Sequence, residues 1–450
     1  MIVLLAVITF HAFLLARLIF FPYQEIFTYP YFTSRGLLPY AQVMDQHFPG
    51  FMFFPVNLAT FGVVNEYAAR AFAVGIVVLV HLLIYFLGRK FVGGKWAVLG
   101  NILFLVWQPV FEGWVLWIDS FLPLILLPAF WFSYRAYRKG KLMDFVLSGL
   151  LLGIGVVFKQ VVVPIVAVVG MLLVYKHKDL KKALVFILGL AVPVGFMVLY
   201  VWRLGVFEDF WYWTVTYNLE IFSKLGRKYP TSYELLRVLG VFGFGVFSVF
   251  YKNKKQVLWL WVFMLGALLA AYARFDFVHF QPALPFLCLL SLLGFKGLWG
   301  KRLMLPVVGL YVISAVVIIN VFYRGHLGSR VLFFDDTHKS VAAKIREYAG
   351  EEESIFIFGA SPHLYQMSST LPSGHVYIQQ YPWFMFLAED RTIEGLSWDL
   401  PKVVVADFTV EVAGQNISDY SPKVARYLKD NFEVVEQIES NYFMIKKDKL

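Results

Sequence analysis

Stretches of about twenty residues almost free of charge recur along this chain, and they constrain its fold more than any other feature. An α-helix rises about 1.5 Å per residue, so roughly 20 apolar residues cross a hydrocarbon core about 30 Å thick. Residues 2–21, 67–88, 96–111, 120–134, 183–202, 232–251, 257–272, 280–295 and 303–323 each read as such a span. With 59% hydrophobic and only 16% charged residues, the chain is predicted to be a polytopic α-helical membrane protein. The first stretch lacks the basic leader and small-residue cleavage site of a signal peptide and reads as a retained span. A single cysteine, Cys288, excludes an internal disulfide framework and a CxxC metal site.

Residues 145–175 are apolar except for Lys159 and Gln160 at their middle. One helix of that length would measure about 46 Å and carry an ammonium at its centre, which a bilayer disfavours. Two short helices place Lys159 at a membrane surface instead. Loop charge decides between the two, because basic residues are retained in the cytoplasm. With the hairpin, alternate loops gather Arg89, Lys90 and Lys95; Arg135, Arg138, Lys139 and Lys141; Lys176, Lys178, Lys181 and Lys182; Lys252, Lys254 and Lys255; and Lys296, Lys301 and Arg302. Only Asp144 and Asp179 oppose these 17 cations. The expectation is therefore about 11 spans in the plasma membrane, a cytoplasmic N-terminus, and everything after Arg324 outside. The overall net charge of +10 then serves orientation and gives no reason to expect nucleic acid as a partner.

The outer face is predicted to hold a large first loop, 22–66, and an amphipathic Trp/Tyr-rich segment, 203–231, suited to the interface. Domain division is expected at residues 1–329, a transmembrane catalytic part, and 330–450, a small extracytoplasmic α/β domain. In the latter, turn signals at Gly350, Gly359, Pro372-Ser373-Gly374 and Pro401 separate short β-like runs from helix-like stretches at 340–348 and 421–432.

Ionisable residues near membrane depth are expensive and mark functional sites by default. On the predicted outer face lie Glu25, Tyr40, Asp45 and His47 in the first loop, Glu112 and Asp119 around the next short loop, Lys159 at the hairpin tip, and Arg274, Asp276 and His279. Arg70, one turn into its span, is spaced to pair with Glu66. A carboxylate can deprotonate an attacking hydroxyl, while Lys, Arg or His neutralises a departing phosphate. His11 and His81, inside spans, read as hydrogen-bonded packing residues. Gly359-x-x-Pro is no phosphate loop.

These motifs resemble those of the C-type glycosyltransferases, in the branch of protein O-mannosyltransferases, the aminoarabinose transferase of lipid A and the rhizobial core glycosyltransferases. The likeness lies in Gln24-Glu25, Gly36-Leu-Leu-Pro-Tyr40 and His47-Phe-Pro-Gly50 of the first loop. Asp119-Ser120 with Pro123, Lys159 after Gly149-Leu-Leu-Leu-Gly153, and His279-x-Gln-Pro-x-Leu-Pro285 extend it, as does Gly359-Ala-Ser-Pro-His-Leu-Tyr365 in the tail. The resemblance implies an inverting transfer of a sugar from a polyprenyl (dolichyl or undecaprenyl) phosphate to a glycan, lipid or protein acceptor on the outer face. Glu25 or Asp45 is implied as catalytic. Lys159, Arg274, His279, His47, Arg70, Asp119 and Tyr40 are implied to bind substrate or phosphate. No cofactor is certain; a divalent metal is possible, with His47 and His279 as its ligand candidates. Two departures stand out. Gln24 occupies the place of the family's usual catalytic carboxylate, and an amide cannot act as a base; Phe48 replaces a proline. The alternatives are a lipid or sugar transporter or flippase, and a catalytically inactive relative of the family.

Overall fold

The computed structural model describes residues 2–447. The chain divides into two compact units, one of Met1–Pro22, Tyr67–Met197 and Arg227–Arg330, the other of Tyr23–Glu66, Val198–Gly226 and Val331–Leu450.

The first unit is a helix bundle. Every predicted span coincides with a helical segment: Ile2–Arg17, Glu66–Val92, Gly94–Gln108, Ile118–Lys139, Leu142–Phe158, Val163–His177, Leu180–Arg203, Ser232–Phe250, Lys254–Ala273, Leu284–Leu298 and Met304–His326. Among the described residues, six helices are long and apolar enough to cross a membrane. The remainder are shorter or more polar; Gly94–Gln108, with 15 residues, reaches only about 22 Å. Leu284–Leu298 is apolar on all sides and buried along nearly its whole length, the mark of a central helix.

The stretch around Lys159 breaks as its charge requires. Leu142–Phe158 stops at Lys159, whose backbone is extended (φ −157°, ψ 127°), and Val163–His177 restarts with proline in its first turn. Close helix contact depends on small residues, as is common in membrane bundles. A Cβ on Gly149 would collide with the carbonyl oxygen of Phe186, and one on Gly189 with that of Val146, so Leu142–Phe158 and Leu180–Arg203 touch backbone to backbone. Inside the bundle His11 Nδ1 meets His81 Nε2 at 2.8 Å, His11 Nε2 meets Gln108 Oε1 at 3.1 Å and His81 Nδ1 meets Asn101 Oδ1 at 2.8 Å, the packing role expected of both histidines.

The second unit holds the α/β tail. Strands β1 (Ser354–Phe358), β2 (Leu371–Pro372), β3 (Val404–Ala406), β4 (Phe432–Ile438) and β5 (Asn441–Lys446) form one sheet in the order β4-β5-β3-β1-β2. β1 runs parallel to β2 and β3, while β5 is antiparallel to β3 and β4. The helices Asp336–Tyr348, Pro382–Trp398 and Pro422–Asn431 accompany it. A separate short pairing joins the first loop to the tail, with Val43 opposite Tyr377 and Met44 opposite Ile378 in parallel. The helix Glu25–Ser34 packs in the same unit, where Phe32 rests on Tyr365 and Tyr377, and Arg35 pairs with Glu352. The segment expected to lie at the interface is only partly exposed. It forms a short helix, Phe207–Trp211, and two wide turns that bury Phe210, Trp213, Thr214 and Tyr217 while leaving Trp211 and Leu219 outside.

Candidate active site

The predicted site residues fall into two groups, one in each unit. In the first unit, Asp119 sits in the first turn of Ile118–Lys139, Lys159 at the break of the hairpin, and His279 in the tight turn Phe277–Phe280. They converge on one oxygen. Lys159 Nζ lies 2.5 Å and His279 Nδ1 3.0 Å from Asp119 Oδ2, with 3.4 Å between the two nitrogens. Asp119 is fully buried, and its other oxygen has no partner. Both nitrogens point at the carboxylate as donors, so Nδ1 of His279 carries the proton and Nε2 keeps the lone pair. One positive and one negative charge then balance within a buried trio, which is how a bundle tolerates them.

Beside it, Arg274 Nε donates to Asp276 Oδ2 at 2.7 Å and Lys228 Nζ to Asp276 Oδ1 at 2.8 Å. Glu112 adopts a left-handed backbone (φ 56°, ψ 35°), and its carboxylate accepts the N–H of Val278 at 2.9 Å, holding the turn that carries His279. Burial, reinforced by Asp276, raises its pKa to about 7 against the pull of the Val278 N–H. Sequence reasoning placed Glu112 on this face without seeing that role, because a residue with positive φ leaves no pattern in composition.

Arg70 does something other than expected. Its guanidinium donates to the carbonyls of Leu15 (3.3 Å), Ala16 (2.9 Å), Leu18 (3.1 Å) and Ser329 (3.1 Å) and lies over the ring of Phe20. It thus satisfies the carbonyls left open where Ile2–Arg17 ends. Glu66 meets Lys339 instead, at 3.4 Å.

In the second unit the first loop builds a carboxylate pair. Asp45 Oδ1 accepts the backbone N–H of His47 at 2.6 Å and its Nδ1–H at 2.9 Å, while Oδ2 accepts the hydroxyl of Tyr29 at 3.0 Å. The ring of Tyr40 packs against Phe53 and Phe210, and its hydroxyl donates to the carbonyl of His47 at 3.0 Å, bracing the same turn. Glu25 stands in the first turn of Glu25–Ser34, only 5% exposed, with one carboxyl oxygen lacking any partner. Burial, with a smaller push from Asp45, raises its pKa to about 8. The two acids therefore differ: Asp45 is fixed by three donors, whereas Glu25 has one unpartnered oxygen and a raised proton affinity.

Among the described residues no three of His, Cys, Asp and Glu converge in a way that could hold a metal ion. His47 and His279 each turn Nδ1 to an aspartate. The residues present do not make a metal site.

Comparison with known proteins agrees with this architecture. A family model described as dolichyl-phosphate-mannose-protein mannosyltransferase matches residues 50–202, which contain Asp119 and Lys159 but begin after Glu25 and Asp45. No curated protein matches. Among solved structures, ArnT from Cupriavidus metallidurans bound to undecaprenyl phosphate superposes with a TM-score of 0.65 at 13% identity, covering 98% of this chain and 97% of that one. Its apo state gives 0.64 at 13% identity, with the same coverage. An Archaeoglobus fulgidus oligosaccharyltransferase tethered with an acceptor peptide gives 0.52 at 11% identity, covering 99% of this chain and 74% of that one. In fold the chain is similar to ArnT and to the oligosaccharyltransferase, and over residues 50–202 it matches the mannosyltransferase family model.

Proposed function

We propose that this protein transfers a sugar, a hexose or pentose, from a polyprenyl-phosphate donor to an acceptor hydroxyl on the outer face of the membrane, with inversion at the anomeric carbon. The observation that carries the reading is likeness over 98% of the chain to a transferase whose structure holds undecaprenyl phosphate. The first-loop geometry supports it. Gln24 cannot act as a base, but Glu25 beside it has a bare carboxyl oxygen and a raised proton affinity. In the reaction the acceptor oxygen attacks the anomeric carbon, its proton passes to Glu25, and the bond from that carbon to the phosphate oxygen breaks with its electron pair leaving on the phosphate. Asp45 keeps the loop in place through His47 and Tyr29. In the first unit, Lys159 and Arg274 carry the ammonium and guanidinium charge suited to a phosphate. The phosphate is a good leaving group, so neutralising charge matters more than proton donation.

In this reading residues 1–329 form the membrane catalytic part with its first loop, 22–66, outside, and 330–450 lie outside as well, with the N-terminus in the cytoplasm. Purified protein incubated with radiolabelled polyprenyl-phospho-sugar and a membrane extract as acceptor should move label off the lipid. Lipid binding with no transfer to any acceptor would refute the reading and favour an inactive relative. Cysteines introduced at exposed sites of 340–447, against the buried Cys288, should react with an impermeant reagent on intact cells.

A further inference from the structure

Three polar atoms in the second unit are buried without partners: Glu25 Oε2, the hydroxyl of Tyr377 and the amide nitrogen of Gln379. The residues that bear them are 5%, 6% and 2% exposed. Tyr377 is placed there by the pairing of Val43–Met44 with Tyr377–Ile378, and its ring packs on Tyr29 and Phe32, at centroid distances of 6.1 and 4.9 Å. Glu25 and Asp45 both act electrostatically on its hydroxyl. Gln379 follows Tyr377 by two residues, just past that strand. Burying a hydroxyl or an amide without a hydrogen bond costs about 1–3 kcal/mol, and a cluster of such groups is a site waiting for a polar ligand.

We infer that Tyr377 and Gln379, from the tail, bind the acceptor beside Glu25, and that the group they bind is a neutral, hydroxyl-bearing one such as a sugar ring. The inference rests on the transferase reading. The chemistry of these groups selects the class: a phenol O–H and an amide N–H2 donate to hydroxyl or ring oxygens, and the Asp45 carboxylate repels an anion. A donor phosphate therefore belongs elsewhere. The tail is thus part of the site, and supplies the side chains that hold the hydroxyl whose proton Glu25 removes.

The test uses the full-length protein in detergent. Its acceptor probe is a membrane extract from cells lacking the protein, titrated against a fixed radiolabelled polyprenyl-phospho-sugar. Tyr377→Phe keeps the ring packing and removes only the hydroxyl; it should raise the apparent acceptor KM about tenfold, the loss of one good hydrogen bond, with undecaprenyl phosphate affinity unchanged. Gln379→Leu should do the same independently. Methyl α-D-glucoside should compete with the extract in the wild type and more weakly in both variants. Unchanged acceptor KM in both variants, or weakened binding of undecaprenyl phosphate, would overturn the assignment, as would stronger competition by glucose 6-phosphate than by the neutral glycoside. Absence of transfer by the wild type itself, with the lipid bound, would instead refute the transferase reading and remove this inference with it.

Discussion

Replacing Glu25 by Gln should abolish transfer and at the same time stabilise the protein, and both effects follow from one buried carboxyl. Folding moves that group from an ordinary pKa of 4.5 to about 8. Below about pH 4.5 the folded and unfolded chains both hold the proton, so there is no penalty. Between the two values the folded chain keeps a proton that the unfolded chain has released, and stability falls with rising pH by about 1.4 kcal/mol per unit. The loss is about 3 kcal/mol at pH 7 and on the order of 5 kcal/mol at and above pH 8, where both states are ionised and the penalty is constant. Gln has the shape of the protonated acid and never ionises, so Glu25→Gln escapes the penalty. Thermal unfolding in detergent, followed by tryptophan fluorescence at each pH from 5 to 9, should show wild type and variant converging near pH 5 and the variant pulling ahead toward pH 8. Transfer by the variant should fall by about 10²–10⁴, the usual worth of a general base. Parallel stability profiles across that window would refute the burial argument, and undiminished transfer would refute the base.

Other consequences follow from the same geometry. In the wild type, kcat/KM should rise with pH up to about 8, since the base acts only when deprotonated, and a profile flat from pH 6 to 9 would contradict that. Lys159→Met leaves Asp119 buried and uncompensated and should cost about 3–5 kcal/mol in unfolding experiments, while adding Asp119→Leu should recover most of it. Tyr29→Phe removes one of three donors to Asp45 and should lower stability by about 1–2 kcal/mol, read from the denaturation midpoint. Gly149→Val forces apart two helices that meet at their backbones and should lower folded yield sharply in fluorescence-detected size-exclusion chromatography, more than Gly195→Val, which meets open space.

Lys159 was legible as a hairpin tip because a lone charge in an apolar run has few places to go, and the backbone breaks there. The apolar periods likewise located the spans, since the bilayer imposes a length on them. Arg70 shows where such reasoning stops. Its i,i+4 spacing to Glu66 is local, but the open carbonyls at the end of another helix are stronger acceptors, and no pattern in sequence points to them. Asp45 and His47 stand out as polar residues in the first loop, but no pattern in sequence marks the hydroxyl of Tyr29 that fixes Asp45. The hairpin of β4 and β5 lacks the alternation that marks a strand in sequence: Val434 and Val435 are both exposed, and Phe443 and Met444 both buried. The run from His375 to Ile378 reads as a strand and Tyr377 lies in one, but nothing in so short a run marks Tyr377 or the Gln379 beyond it as part of a site.

Val43 and the Tyr377 it pairs with are 334 positions apart in the chain. At a synthesis rate of roughly 5–20 residues per second, the first loop emerges something like 15–70 s before its partner strand exists. During that interval the loop stands without its partner strand, its acids uncovered. A ribosome that stalls anywhere before residue 377 therefore leaves a well-inserted protein that cannot close its first loop.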